Sequence, residues 1–216
     1  MTYRSKRLLD IFFSLLILLV TFPILILFLI LIIVIDRQFP IFVQERSGLK
    51  GKKIFIYKLK TIKNKNKNSK ISFLGKFLRL SKIDELPQLI NVLKNDLSLV
   101  GPRPLYLEYN KYLTKKHKKR LLTKPGITGL SQIRLKNSSD WIKKFDYDVF
   151  YVENLNLKLD LYIILNSFFI VLKLIFVQNQ RKNKIIDYKI DFYKQYVDMV
   201  KKNNYWTVID NESFIK

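Results

Sequence analysis

The chain has 216 residues, enough for one compact domain with an appended segment. It contains no cysteine, which excludes disulfides and thiolate metal sites and fits a cytoplasmic location. Its 40 basic and 17 acidic residues give a net charge of +23, so an anionic partner is expected: nucleic acid, an anionic membrane leaflet or phosphorylated substrates. A general enrichment in lysine would explain part of this charge without any partner.

The first predicted element is a long apolar segment, residues 8–35, whose only polar residues are Asp10, Ser14 and Thr21. As a helix rising about 1.5 Å per residue it would be roughly 40 Å long, enough to cross a hydrocarbon core of about 30 Å. Residues 1–36 are therefore expected to be a membrane segment, which a soluble nucleic-acid binder would not need. A cleaved signal peptide is disfavoured, because the run is too long and no small-residue cleavage site follows.

Pro23 lies near the middle of this segment and favours a re-entrant helix over a straight crossing. It removes the hydrogen bond to the Leu19 carbonyl, and the Thr21 hydroxyl could bond to backbone groups freed there. Both flanks are basic, so the positive-inside rule places both ends in the cytoplasm. The expected arrangement is a helix–break–helix hairpin in the bacterial inner membrane, with a straight span as the alternative. The flanking cations are Arg4, Lys6, Arg7, Arg37, Arg46, Lys50, Lys52 and Lys53.

Residues 37–177 are expected to form a cytoplasmic catalytic domain of the α/β class, mostly helical with a small β element. Residues 41–43 and 54–57 are rich in β-branched and aromatic side chains and predict two strands, joined by a turn around Gly48 and Gly51. Residues 63–70 are mostly lysine and asparagine, which predicts a solvated loop.

A helix with one buried face is predicted after the pair Asp84–Glu85. Asp84 is its expected N-cap, because Pro87 is tolerated only in a first turn. Residues 73–80, 105–122 and 141–151 are also predicted to be helical. The apolar positions of the helix after Asp84 are Leu86, Leu89, Ile90 and Leu93.

Residues 157–177 are apolar but interrupted by polar side chains, which predicts an interfacial helix lying on the membrane. A second transmembrane span is the alternative. Residues 178–216 form a basic extension with several aromatic side chains, and the sequence indicates no chemistry or role for it.

The candidate chemical centre is Asp84–Glu85. A carboxylate at a helix N-terminus is kept ionised by the helix dipole, beside free amides that suit a phosphate. Asp84 could act as a nucleophile, and Glu85 could bind a metal or move a proton. Taken alone, an Asp-Glu pair at a helix start is usually only a cap.

Cations around this pair strengthen the prediction of a phosphate site. Arg103 lies between two prolines on a nearly fixed backbone, which suits bidentate phosphate binding, and Arg79 precedes Asp84 by five residues. Lys58 and Lys60 alternate along a predicted strand and would share one face, although a solvated face explains each lysine equally well. The backbone amides of residues 126–129 could also approach a phosphate, or this glycine-containing loop could be an ordinary turn. His117, the only histidine, is expected on a solvated helix face.

Seven features occur in order along the chain, and together they closely resemble the bacterial sugar transferase family, the small monotopic phosphoglycosyl transferases. The resemblance covers residues 3–177 and leaves the tail uncovered. The features are KRLLD at 6–10, the apolar segment with Pro23, FVQERSG at 42–48, YKLKT at 57–61, DELPQL at 84–89, SLVGPRP at 98–104 and KPGITG at 124–129.

The resemblance implies a two-step reaction in which Asp84 attacks the β-phosphate of a UDP-sugar and forms a covalent aspartyl phosphosugar. Undecaprenyl phosphate then takes the phosphosugar, giving undecaprenyl diphosphate-sugar. The resemblance also implies magnesium as cofactor, held at Asp84 and Glu85, with Glu85 as dyad partner. Arg79 and Arg103 match arginines near the phosphate, and Asp148 matches an acidic residue near the active site.

The sequence departs from the family pattern in three places. Phe22 stands where serine often precedes the membrane proline, and Leu130-Ser131 replaces a common Trp-Ala. Lys124 stands where arginine is usual, so it keeps the charge for phosphate binding but loses the bidentate fork.

Two other functions remain open at this point. One is an inactive membrane scaffold that recruits later glycosyltransferases, although the acidic pair and both arginines are intact. The other is a membrane-tethered nucleic-acid binder, which would explain the charge but not the acidic pair, so no nucleic acid is expected. The expected partners are the UDP-sugar, undecaprenyl phosphate, anionic lipids and downstream glycosyltransferases. The sequence does not identify the sugar, the glycan pathway or the oligomeric state.

Overall fold

The structure, a computed structural model, describes residues 3–65, 68–135, 140–176, 192, 196–197 and 200. This part of the chain is mostly helical with three small two-stranded sheets, as predicted. Its helices are α1 Lys6–Leu31, α2 Phe73–Ser81, α3 Gln88–Leu93, α4 Lys115–Lys118, α5 Leu130–Arg134, α6 Trp141–Glu153 and α7 Leu157–Phe176. Its strands are β1 Ile41–Ser47, β2 Lys53–Leu59, β3 Ile62–Lys65, β4 Asn68–Ile71, β5 Ser98–Val100 and β6 Gly126–Thr128.

Helix α1 runs through Pro23 without interruption and continues as a π-helical segment, Ile32–Asp36. The expected break at Pro23 is therefore not seen as a gap in the helix. The Thr21 hydroxyl donates to the Ile17 carbonyl at 2.7 Å, one turn back, and not to the Leu19 carbonyl that faces the proline. Apolar helices tolerate an internal proline because neighbouring turns adjust locally and keep their own hydrogen bonds.

A buried charge network fixes the start of α1 to the C-terminal helices. The Lys6 ammonium lies 2.5 Å from the Asp160 carboxylate of α7, and both side chains are about 5% exposed. Asp160 also accepts hydrogen bonds from the Tyr3 hydroxyl at 2.8 Å and the Tyr151 hydroxyl at 2.6 Å. Because the two buried charges pair with each other and Asp160 accepts two further hydrogen bonds, the network attaches the N-terminus of α1 to α6 and α7.

Asp10 of α1 makes a second attachment, to β5. Its carboxylate accepts hydrogen bonds from the Ser98 hydroxyl at 2.8 Å and from the Leu99 backbone N–H at 3.0 Å. At the other end of the helix, Ile32 is fully buried in an apolar cluster with Leu59 and Leu78. Both ends of the apolar helix therefore contact the same domain.

The two predicted strands form an antiparallel hairpin, β1–β2, with Ile41 opposite Leu59 and Ser47 opposite Lys53. The turn passes through Gly51, whose φ of 75° favours glycine. The hairpin brings Lys58 of β2 towards α3.

The prediction of a solvated loop at residues 63–70 is wrong in part, because β3 and β4 pair there as an antiparallel hairpin. Ile62 lies opposite Ile71, and the polar residues follow in register. The strands were missed because lysine and asparagine do not alternate with apolar residues here. Pairing of two strands through their backbones does not require such alternation. Residues 66–67, between the strands, lie outside the described residues.

The segments SLVGPRP and KPGITG meet as a parallel strand pair, β5–β6, with Ser98 opposite Gly126. Of the amides of residues 126–129 considered for phosphate binding, the Gly126 N–H is already used, because it donates to the Pro102 carbonyl at 3.0 Å. A Cβ atom at Gly126 would lie 2.1 Å from the Gly101 nitrogen. Glycine here permits close packing of two backbone segments behind the Gly-Pro-Arg-Pro loop.

The single helix expected over residues 105–122 is three short segments: a 3₁₀ turn Leu107–Tyr112, α4, and a 3₁₀ turn Lys119–Leu122. Thr114 caps α4 by accepting from the His117 N–H at 3.2 Å. His117 is buried, contrary to the solvated face expected from its lysine neighbours. Its ring nitrogens lie 2.8 Å from the Tyr196 hydroxyl and 3.1 Å from Asp146.

Helices α6 and α7 confirm that residues 141–151 and, as far as residue 176, residues 157–177 are helical. The interfacial position of α7 on the membrane stays a prediction. Within the described part of the chain, only one helix, Lys6–Asp36, is long and apolar enough to cross a membrane. Helix α7 nonetheless exposes a set of large apolar side chains: Leu161, Leu165, Phe168 and Phe169.

Four described residues of the C-terminal extension belong to the main apolar core: Phe192, Tyr196, Val197 and Val200. The Phe192 ring stacks on Tyr109 with centroids 3.9 Å apart and meets Trp141 edge-on at 5.2 Å. The remainder of residues 178–216 lies outside the described residues. The extension thus contributes to the core that supports α4 and α6.

Replacing Phe192 by alanine is expected to lower the free energy of unfolding by about 3–5 kcal/mol, because it removes a fully buried aromatic ring. Chemical unfolding of the purified full chain in detergent measures this. The control is Phe73→Ala, since Phe73 is 92% exposed. Equal stability of the two variants would contradict the packing of the extension.

Candidate active site

Asp84 and Glu85 lie on a 3₁₀ turn, Ile83–Glu85, between α2 and α3. The expectation that Asp84 caps the following helix is wrong, because α3 begins only at Gln88 and Pro87 occupies the capping position without a side-chain cap. Lys82 precedes the turn in the left-handed conformation, with φ 63°. This reversal, together with a proline that cannot donate a hydrogen bond, separates the acidic pair from both helices.

The buried face of α3 also differs from the expected one. Leu89 is buried as predicted, but Ile90 is 45% exposed, and the polar Asn91 is fully buried. The Asn91 amide accepts from the Tyr57 N–H at 3.1 Å and donates to the Phe55 carbonyl at 2.6 Å. These two bonds fix the edge of β2 to α3, and they also fix the backbone position of Lys58, the next residue of β2.

Asp84 is a buried carboxylate with unmet bonding capacity. Its side chain is 8% exposed, and its Oδ1 has no hydrogen-bond partner among the described residues. Burial and, after it, repulsion from Glu85 raise the pKa of Asp84 to about 6. The charges of Lys58, Lys82 and Arg79 act in the opposite direction and are included in this value. A buried polar atom without a partner is rare and marks a place where a ligand atom can bind.

Glu85 has the opposite electrostatic character. Burial opposes its ionisation, but the charges of Lys58, Lys82 and Arg103 outweigh burial and hold its pKa well below the usual range. Lys58 makes the direct contact, with its Nζ 2.8 Å from Oε1 of Glu85. The adjacent carboxylates therefore differ: Glu85 stays ionised, and Asp84 titrates near neutral pH.

The structure brings four cations to this pair from separate elements. Lys58 comes from β2, Arg79 from α2, Lys82 from the turn after α2, and Arg103 from the loop after β5. The Nε of Arg79 donates to the buried Thr61 hydroxyl at 2.8 Å, which fixes one edge of its guanidinium. Cations arranged around ionisable carboxylates form a site suited to a multiply charged anion such as a phosphate ester.

The Arg103 loop is held from behind by a buried ion pair. Arg120 donates to the Arg103 carbonyl at 2.7 Å, and its Nε and Nη2 lie 3.0 and 2.8 Å from Oδ2 of Asp148. The other Asp148 oxygen accepts from the Ser131 hydroxyl at 2.7 Å. Both oxygens of Asp148 accept from protein groups and its side chain is about 3% exposed, so it supports the Arg103 loop from behind.

Within the described part of the chain, Lys60 and Lys124 form no ion pair with Asp84 or Glu85, and neither is among the cations that shift the pKa values of these carboxyls. The Lys60 backbone N–H, just after β2, donates to the Pro40 carbonyl at 2.7 Å. Lys124 donates to the Asn95 side chain. Burial and the charge of Arg7 lower the pKa of Lys124, whereas Asp10 acts to raise it, which locates it beside the start of α1.

Sequence reasoning missed two residues of this arrangement, Lys82 and Arg120. Lys82 gave no signal, because its left-handed conformation is set by the reversal between α2 and the acidic turn. Arg120 did give one: it is the single arginine in a lysine run, KKHKKR, at residues 115–120. Arginine is preferred where a buried cation must bond to several oxygens at once.

The acidic pair can also hold a metal ion. No group of three or more histidine, cysteine or acidic side chains that could bind a metal occurs among the described residues. Magnesium often needs fewer protein ligands, because it keeps several waters and binds one or two carboxylates with substrate phosphates. The partnerless Oδ1 of Asp84 and the ionised Glu85 fit this donor set.

Comparison with known proteins agrees with this geometry. The model of the bacterial sugar transferase family matches residues 1–174. The chain is 41% identical over 168 residues to the uncharacterized sugar transferase EpsL of Bacillus subtilis, covering 74% of this chain and 83% of that protein.

Two longer relatives have names that state a reaction. Over 182 residues the chain is 36% identical to the UDP-glucose:undecaprenyl-phosphate glucose-1-phosphate transferase of Klebsiella pneumoniae, covering 76% of this chain and 39% of that protein. Over 114 residues it is 40% identical to the undecaprenyl-phosphate galactose phosphotransferase of Salmonella typhimurium, covering 53% of this chain and 24% of that protein. The chain thus spans less than half the length of these two relatives.

Replacing Asp148 by asparagine is expected to lower the free energy of unfolding by about 3–5 kcal/mol, because Arg120 is left buried without a counter-charge. Denaturant titration measures the change. Glu153→Gln is the matched control on the same helix, since its pair with Lys119 is about half exposed and is worth less than about 1 kcal/mol. Equal effects of the two substitutions would contradict a supporting role for the Asp148–Arg120 pair.

Proposed function

Because the chain belongs to the bacterial sugar transferase family, we propose that it transfers a phosphosugar from a UDP-sugar to undecaprenyl phosphate. The observation that carries this proposal is the buried Asp84 carboxylate, with a partnerless oxygen, in a site surrounded by four cations. The names of the Klebsiella and Salmonella relatives support the two substrates. The products are undecaprenyl diphosphate-sugar and UMP.

The reaction proceeds in two displacements at one phosphorus atom. An oxygen of ionised Asp84 attacks the β-phosphorus of the UDP-sugar, the bond from that phosphorus to the bridging oxygen breaks, and UMP leaves with the electron pair. A phosphate oxygen of undecaprenyl phosphate then attacks the same phosphorus. The bond to Asp84 breaks, and the free carboxylate is restored. Aspartate is an established nucleophile for such acyl-phosphate intermediates.

The surrounding side chains have separate tasks in this mechanism. Arg103 and Arg79 bind the charge of the diphosphate, and their fixed positions allow bidentate contacts. Lys58 keeps Glu85 ionised, with its Nζ 2.8 Å from Oε1 of Glu85. Glu85 and Asp84 would hold a magnesium ion, which when bound neutralises diphosphate charge.

We place the protein at the cytoplasmic face of the bacterial inner membrane, with α1 entering and leaving on the same side. Three observations support this monotopic arrangement. Both ends of α1 contact the catalytic domain, through Lys6 and Ile32. Only 11% of the most apolar stretch of α1 is buried. The net charge of +23 favours contact with anionic lipids.

The lipid-linked product would be the first membrane intermediate of a glycoconjugate, such as an O-antigen, a capsule, an exopolysaccharide or a protein-linked glycan. Downstream glycosyltransferases would extend it. The other candidate, an inactive scaffold for these enzymes, is disfavoured because the acidic pair and its cations are in place.

Incubation with radiolabelled UDP-sugars, undecaprenyl phosphate and magnesium should yield a lipid-linked product with at least one sugar of the panel. Chelation of magnesium should stop the reaction, and added magnesium should restore it.

Asp84→Asn should abolish turnover yet raise the free energy of unfolding at neutral pH by up to about 3 kcal/mol, because it removes a disfavoured buried charge. Absence of product with every common UDP-sugar, from folded protein, would support the scaffold; turnover by Asp84→Asn would refute the covalent mechanism.

The value of kcat/KM for the UDP-sugar should rise with pH through an apparent pKa of about 6. Asp84 must be ionised to attack, and burial keeps it protonated below that pH. Lys82→Gln should move this rise to higher pH, because it removes a charge that lowers the pKa of Asp84. Lys143→Gln on α6 is the control. An unchanged profile in Lys82→Gln would argue against Asp84 as the titrating group.

A further inference from the structure

Arg46, near the end of β1, is a cation held in one orientation. Its guanidinium carbon lies 3.6 Å from the centre of the Tyr106 ring, and its Nη2 donates to the Gln44 side chain at 2.5 Å. Gln44 in turn donates to the Tyr106 hydroxyl at 3.3 Å. A flat guanidinium stacked on a ring leaves its remaining N–H groups directed along the ring plane, where a planar or bidentate anion can be bound.

Arg46 and Arg103 are brought together without a carboxylate between them. The Ser47 N–H donates to the Leu105 carbonyl at 2.8 Å, which joins the end of β1 to the loop that carries Arg103. Burial lowers the pKa of Arg46, Tyr106 acts in the opposite direction, and the charge of Arg103 lowers it further. Within the described part of the chain, neither arginine has a carboxylate within 4.0 Å. Two cations held close together repel each other, and a bound anion offsets that repulsion.

The hairpin register gives the distance of this cation pair from Glu85. Lys58, which contacts Glu85, lies opposite Phe42, and Arg46 lies four residues further along β1, on the same face of the hairpin. Four residues of strand span about 13 Å. The charge of Arg103 acts on both Glu85 and Arg46, so Arg103 lies near both. Lys58 and Arg46, on one face of the hairpin, thus begin and end a row of cations that leads away from the acidic pair.

This row also leads away from the apolar helix. Ile41, at the start of β1, packs in the apolar cluster that contains Leu25 and Ile32 of the membrane segment. Arg46 lies five residues further along the strand, about 17 Å from that end. A lipid phosphate, whose polyprenyl chain stays in the membrane, would meet the Ile41 end of the hairpin first. A water-soluble ligand suits the Arg46 end.

We propose that Arg46, stacked on Tyr106 and paired with Arg103, binds the nucleotide half of the donor, through the α-phosphate of the UDP-sugar and of departing UMP. This inference rests on the proposed function and extends its site by one binding residue. Asp84 would then meet the β-phosphate while Arg103 spans the two phosphates. The same chemistry could serve the phosphate of the lipid acceptor, and the experiment separates these two sources.

The test is calorimetric titration of UMP into the full chain in lipid nanodiscs, for the wild type, Arg46→Ala and Arg46→Lys. Arg46→Ala should weaken UMP binding by at least about tenfold, since charge-assisted hydrogen bonds to phosphate are lost. Arg46→Lys keeps the charge but loses the fork and the stacking, so it should also weaken binding. Lys53→Ala is the matched control: it removes one charge from the same hairpin, at an exposed pair with Glu45, and should change UMP affinity by less than about twofold.

Steady-state kinetics completes the test. KM for the UDP-sugar should rise in Arg46→Ala, while KM for undecaprenyl phosphate stays unchanged. Unchanged UMP affinity in folded Arg46→Lys or Arg46→Ala would overturn the proposal, as would equal weakening in Lys53→Ala, which would reflect total charge. A rise only in KM for undecaprenyl phosphate would overturn it in favour of the lipid phosphate. If UMP binding depends on Arg46 but no UDP-sugar gives product, the nucleotide site stands and the proposed transferase reaction fails.

Discussion

A charge removed from water must be paired, and this constraint organises the described part of the molecule. The chain has few carboxylates among many cations, yet its buried ones take partners from distant parts of the sequence. Each pair fixes one functional part: the apolar helix to the domain, the arginine loop to α6, and the hairpin to the acidic turn. The pairs are Lys6–Asp160, Arg120–Asp148 and Lys58–Glu85.

Asp84 departs from this constraint at the candidate site. Its Oδ1 has no partner among the described residues, and its neighbours act on it through charge rather than by hydrogen bonds. Such an arrangement lowers the stability of the fold and is retained where a ligand or a reaction uses the free atom. The contrast with Glu85, which is tightly paired, gives two adjacent carboxylates different protonation behaviour at the same pH.

The short helix α3 couples the apolar helix to the acidic pair. Arg7 of α1 donates to the carbonyls of Val92 and Leu93 at 2.6 and 2.9 Å, and these are the last two carbonyls of α3. The turn with Asp84 directly precedes the same helix. The attachment of the apolar helix and the position of the candidate nucleophile therefore depend on one element of six residues.

The sequence by itself determined the apolar segment, the β1–β2 hairpin, the acidic pair and the arginine loop, because these features depend on local periodicity, proline chemistry and motif order. It assigned Asp148 and Lys124 to the substrate and His117 to solvent, and it gave no role to the tail. Only the tertiary structure decided that Asp148 supports the loop through Arg120, that His117 is buried against Tyr196, and which cations meet the acidic pair. These outcomes depend on contacts between residues far apart in the chain, where burial and charge pairing act and local pattern carries no information.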